Sequence, residues 1–262
     1  MSCDAPSTDP SAPPAVQAAP RQRTLHGRRQ GPKLRPGRRR LLDERLPEVG
    51  IALEPNQRLD PASLFNPSPR AVWLEIGFGG GEHLEAQAAR HPEIGFLGVE
   101  PFRNGVARLL QAVEQQDLRN IRVLMDDARL LLDALPEASL DRVFILFPDP
   151  WPKARHHKRR IVNPDTAARL AELIRPGGEL RLATDDPGYA RWMLATILVE
   201  PRFTWTAERA TDWREPPPDW VPTRYEAKAR AAGRAPVFLT FARNFEAATP
   251  RLAQASSATI SR

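Results

Sequence analysis

Residues 71–82 read Ala71-Val-Trp-Leu-Glu75-Ile-Gly77-Phe-Gly79-Gly80-Gly81-Glu82. A short apolar run ends in glycines, and a helical pattern then covers residues 82–90. Glycines at that junction permit a tight turn and let backbone N–H groups approach a ligand at the start of a helix. The rhythm continues downstream. Residues 95–100 read as a second strand, 103–116 as a helix and 121–125 as a third strand, and Asp127 opens another helix. Residues 142–147 form the clearest central strand; a helix over 163–174 then runs into the turn Pro176-Gly-Gly and a strand over 179–183. Such alternation predicts an α/β fold, a parallel sheet with helices on both faces. Residues 203–206 and 237–242 are strands without that spacing, and no internal repeat is present.

Outward from this core, the chain changes character. Residues 1–69 hold 12 of the 28 prolines and lack a sustained hydrophobic period, which predicts a largely disordered or loosely wrapped N-terminal arm. The catalytic or binding domain is expected over 70–245, with a short polar tail at 246–262. The net charge of +6 is carried entirely by residues 1–45, with ten basic side chains against four acidic; the remainder balances at 28 against 28. A basic arm points to a polyanionic partner. The single Cys3 excludes a disulfide framework and a cysteine-built metal site, and the five His show no ligand spacing, so no metal is expected. The longest apolar run, residues 193–199, is too short to span a bilayer. A cytoplasmic location is expected, as monomer or homodimer, with no membrane and no obligate protein partner.

Acidic residues stand at successive strand ends. Nineteen residues beyond Gly81 lies Glu100, where a carboxylate can accept hydrogen bonds from both hydroxyls of an adenosine ribose. A dinucleotide-binding enzyme uses the same device, so glycines and one acid do not separate NAD from other nucleosides. Glu75 and Glu82 flank the loop, a poor setting for a diphosphate and a favourable one for a sulfonium cation. Asp127, at the end of strand three, is placed to meet an adenine amino group. The set fits S-adenosylmethionine better than NAD.

The most informative segment is Phe147-Pro148-Asp149-Pro150-Trp151-Pro152-Lys153-Ala154-Arg155-His156-His157-Lys158-Arg159-Arg160. It leaves the C-terminal end of strand four, the edge where open α/β sheets bind ligands. Two prolines stiffen the turn and fix the direction of the Asp149 carboxylate. Five fixed positive charges and two His follow within eight residues. A positive cluster beside a rigid acid and an aromatic suits a nucleobase with its phosphates held outside.

These segments, with Ala183-Thr-Asp185 and Thr223-Arg224-Tyr225-Glu226, resemble the bacterial tRNA (guanine-N7)-methyltransferases over residues 70–243. The resemblance implies a Rossmann-like class I methyltransferase fold, seven strands with the last pair reversed, and transfer to the variable-loop guanine of tRNA. It implies that Glu75, Gly77, Gly79, Gly81, Glu100, Asp127 and Asp149 line the S-adenosylmethionine side, with Asp149 catalytic. Lys153, Asp185, Thr223, Arg224, Tyr225 and Glu226 would then contact the target nucleotide. Arg155, His156, His157, Lys158, Arg159 and Arg160 would touch the RNA backbone. The Pro-rich arm follows no alignable motif. His26, His83 and His91 are expected as surface or packing residues.

Three rivals are weighed against this reading. N6-adenine methyltransferases place Asp or Asn before Pro-Pro-aromatic, whereas Trp151 here comes one place early. A non-catalytic RNA-binding protein on the same fold would not need the full set of acids and glycines. A dehydrogenase should bind NAD, which the acidic rim disfavours.

Overall fold

The computed structural model describes residues 25–54 and 57–245. Two short helices come first, α1 (Pro36–Glu44) and α2 (Leu46–Val49). The alternating core follows as β1 (Ala71–Ile76), α3 (Glu82–Arg90), β2 (Ile94–Val99), α4 (Arg103–Gln115), β3 (Ile121–Leu124), α5 (Ala128–Ala134), β4 (Leu140–Leu146), α6 (Pro164–Leu173) and β5 (Ile174–Thr184). The chain closes with α7 (Pro187–Val199), β6 (Phe203–Trp205), α8 (Thr211–Arg214), α9 (Arg224–Ala231) and β7 (Val237–Arg243). One seven-stranded sheet runs β3-β2-β1-β4-β5-β7-β6, and β7 is antiparallel to both neighbours. The strand order therefore reverses between β1 and β4, and a crevice opens beyond their C-terminal ends.

Burial explains the elements. Every residue of β2 is buried, as a strand covered on both faces requires. In α4, Val106, Leu109, Leu110 and Val113 fall at helical spacing on one inward stripe. Caps set the helix starts at the crevice edge: Asp127, Asn163, Asp186 and Thr223 each accept a backbone N–H of the helix they open.

Two expectations are corrected. The arm is not loosely wrapped throughout, since α1 buries Leu41 and Leu42 in the cluster formed by Val106, Leu109 and Leu110 of α4. Proline density hid this because Pro36 and Pro47 sit in first turns, where no N–H partner is lost. Residues 1–24 and the tail 246–262 lie outside the described residues. The turn at Pro176 is instead taken into the first part of β5, with Gly177 at φ +80° and a register irregularity against β4. No described helix is long and apolar enough to cross a membrane.

Candidate active site

A cleft of about 650 Å³ lies beyond the C-terminal ends of β1 to β4. Its floor is the glycine turn after β1. Gly77 (φ +74°) and Gly79 (φ +57°) occupy the left-handed region that side chains avoid. A β-carbon on Gly79 would stand 2.8 Å from the ring of Tyr225, whereas one on Gly77 would meet nothing within 4 Å. Glu100 is 8% exposed and accepts from Gly79 N at 2.7 Å and from Phe102 N at 2.9 Å. Burial pushes its carboxyl up, the two N–H groups work the other way, and the charges of Asp149 and Glu75 push it up further.

One wall is the turn after β4. Phe147 and Trp151 both have positive φ, at 52° and 43°, and they bracket Asp149. Side chains pay for that conformation, so the surroundings must hold it. Phe147 N donates to Ala183 O at 2.8 Å, and the Arg160 guanidinium donates to Pro150 O at 2.8 Å. Arg160 is buried against the rings of Tyr189 and Trp192. Asp149 itself stays exposed on the cleft. Across the mouth runs the segment 25–32. Arg103 N donates to Arg29 O, Asn104 bonds both Gly31 N and Pro32 O, and a β-carbon on Gly27 would stand 3.7 Å from Asp149 Oδ2.

A family model described as a putative methyltransferase matches residues 69–239. A tRNA (guanine-N(7)-)-methyltransferase of Rhodospirillum rubrum is 51% identical, over 86% of this chain and 90% of its own length. A protein of the same name from Nitrobacter hamburgensis is 45% identical, over 92% of this chain and 94% of its own. The chain belongs to the tRNA (guanine-N7-)-methyltransferase family. The 16S rRNA methyltransferase KamB, at 16% identity and a TM-score of 0.51 over 67% of this chain and 89% of that one, shares the fold.

Within this family member the expected site residues divide. Gly77, Gly79, Glu100, Asp127, Asp149 and Tyr225 line the cleft, and Lys158, Arg159 and Arg160 reach its rim. Asp127 also caps α5 and pairs with Arg129, which lines the cleft too. Gly81, at φ +82°, starts α3. Glu75 does not line the cleft; it is 3% exposed and accepts from His83 Nδ1 at 2.7 Å. Thr223 caps α9, and Glu226, also buried, accepts from Trp220 Nε1 at 2.6 Å and from Arg230 Nε at 2.9 Å. Asp185 accepts from Arg234 at 2.6 Å. In the basic run, Lys153, Arg155 and Lys158 are exposed, His156 stands edge-on to Trp151, His157 lies against Trp192, and Arg159 lies over Trp151. Arg160 is a brace beneath the turn rather than an exposed RNA contact.

Sequence reasoning missed three features. His83, expected as a surface or packing residue, is buried and bonded to Glu75; its signal was the spacing of eight residues across a strand–turn–helix unit. His26 lines the cleft mouth beside Trp151, and burial, then Arg159, hold its imidazole below the usual range. Glu82 does not flank the cofactor space as an open charge, because Arg108 and Arg224 both hold it.

Proposed function

We infer that this protein is a tRNA (guanine-N7-)-methyltransferase that moves a methyl group from S-adenosylmethionine to the variable-loop guanine of tRNA. The observation that carries the reading is one cleft joining a glycine turn anchored on Glu100 to Asp149 on a braced turn with cationic side chains at the rim. The residues suit the cofactor: the position of a Gly77 β-carbon is open space, and Glu100 is fixed by only one N–H per oxygen, which leaves lone pairs for a ribose. When bound, S-adenosylmethionine supplies an electrophilic methyl on a sulfonium sulfur.

Guanine N7 carries an in-plane lone pair and no proton, so the chain need supply no general base. Its tasks are positioning and charge stabilisation. Gly77 and Gly79 present bare backbone to the cofactor, Glu100 holds the ribose, and Asp127 with Arg129 borders the adenine. Asp149 faces the positive charge that passes from the sulfonium to the purine as N7 takes the methyl. Tyr225 gives the base an aromatic wall. Lys153, Arg155 and Lys158 carry RNA phosphates. Residues 70–245, together with α1 and α2, form the catalytic body, and a tRNA substrate sets the reaction in the cytoplasm.

The test is incubation of the purified protein with unmodified tRNA and methyl-labelled S-adenosylmethionine, followed by mass spectrometry of the nucleosides. 7-Methylguanosine is expected. N6-Methyladenosine, or no incorporation, overturns the reading.

A further inference from the structure

Glu82, the first residue of α3, has a side chain only 17% exposed and two cations on one oxygen. Oε1 accepts from Arg108 of α4 and from Arg224 Nε at 2.7 Å. Arg224 is the first residue of α9 and precedes Tyr225, which lines the cleft. Two adjacent glycines make this seating possible. Tyr225 occupies the space a Gly79 side chain would fill, and the Arg224 guanidinium stands 1.3 Å from where a Gly80 β-carbon would be. Gly80 is not in the left-handed region, so its backbone does not itself demand glycine. On the opposite side Glu226 is anchored inward by Trp220. The first turn of α9 is thus tied at both ends, once to the protein interior and once to the glycine loop.

We propose that Glu82 is a positioning residue that latches Arg224, and with it Tyr225, onto the glycine loop, so that cofactor loop and guanine-side segment form one unit. The proposal rests on the functional reading above and deepens it. Glu82 touches neither reactant; Arg108 orients its carboxylate, and the carboxylate orients Arg224. Gly80 serves the same latch by leaving room for the guanidinium.

The test is a double-mutant cycle of Glu82→Gln and Arg224→Gln, with Gly80→Ala as an uncharged perturbation of the same contact. Dissociation constants of an unmodified tRNA transcript are measured without cofactor, that of S-adenosylhomocysteine by calorimetry, and KM for tRNA under turnover. Glu82→Gln should weaken tRNA by about three- to tenfold and leave S-adenosylhomocysteine within about twofold, and the double variant should be no worse than the worse single one. Gly80→Ala should reproduce the loss, and it keeps the test open if Glu82→Gln fails to fold. Additive effects, or weakened S-adenosylhomocysteine binding with tRNA unchanged, overturn the latch. A wild-type protein that forms no 7-methylguanosine overturns the functional reading instead, and the cofactor-free tRNA cycle still judges Glu82.

Discussion

Replacing His83 by Ala would strand a carboxylate. Glu75 and His83 are 3% and 2% exposed, and the Nδ1···Oε2 distance is 2.7 Å. A carboxylate accepts only, so Nδ1 is the donor, and Nε2 then faces Gln87 Nε2 at 3.3 Å as acceptor. Leaving a buried charged acceptor without its donor costs about 3–5 kcal/mol, above the roughly 1–3 kcal/mol of a neutral group. At roughly 2–4 °C per kcal/mol for a chain of this size, the unfolding midpoint should fall by about 6–20 °C. His83→Asn keeps an N–H near the place of Nδ1 but loses the ring contacts with Phe144 at 4.7 Å and Trp220 at 5.7 Å. Its cost should be about 1–2 kcal/mol, or roughly 2–8 °C. Calorimetry and urea unfolding of both variants, repeated in a Glu75→Gln background, give the comparison. In that background the penalty of His83→Ala should shrink, because no charge is left unmatched. Equal losses for Ala and Asn, unchanged by Glu75→Gln, would refute the stranded-charge reasoning and leave only packing.

Asp149→Ala should lower the single-turnover methyl-transfer rate by about 100-fold, on the scale of removing one preorganised electrostatic group, while tRNA affinity by filter binding stays within about twofold. Lys158→Gln should reduce the salt slope of tRNA binding by about 0.7–0.9, one phosphate contact, whereas Arg160→Gln should lower the unfolding midpoint and leave that slope unchanged. Asp219 is held below the usual carboxylate range: burial opposes this, but the hydrogen bond and charge of Arg181 and the charge of Arg142 prevail. A depressed carboxyl contributes its full stability above the ordinary Asp range and loses it as pH falls, so stability should decline between about pH 5 and 3, and Asp219→Asn should flatten that decline in acid-unfolding curves.

The central strands were legible because they are largely buried and end in chemically marked turns. β1 to β4 and the helices between them follow from short apolar runs, from glycine after β1 and from Asp127 as a cap. α7 was not legible as a helix, since residues 193–199 are apolar on every side apart from Thr196, and only the structure shows that Tyr189, Met193 and Ile197, four apart, are the ones buried. α1 was hidden by proline density, although its burial depends on only two leucines that meet α4. Residues 223–226 were recognisable as a motif, but their division of labour was not. Thr223 caps, Arg224 reaches the glycine loop, Tyr225 faces the cleft and Glu226 turns inward, as a helix start presents successive residues to different sides.

The electrostatic case for a cationic cofactor also changes its footing. In the sequence Glu75 and Glu82 flank the glycines alike, but Glu82 is held by two arginines, whereas the neutral ring of His83 gives Glu75 a hydrogen bond and leaves its charge acting on Glu100. Asp127 is held by Arg129, as Glu82 is by its arginines. What remains facing the cleft is Glu100, bonded only to backbone N–H groups, and Asp149, exposed on its turn. Their charges act on each other, and Asp149 pushes the Glu100 carboxyl up. A sulfonium between them would relieve that repulsion, and a diphosphate would add to it. On the proposed reading, the preference for S-adenosylmethionine over a dinucleotide rests on Glu100 and Asp149, with the buried Glu75 charge behind them. Glu100→Gln should weaken the cofactor, whereas Glu82→Gln should weaken only tRNA.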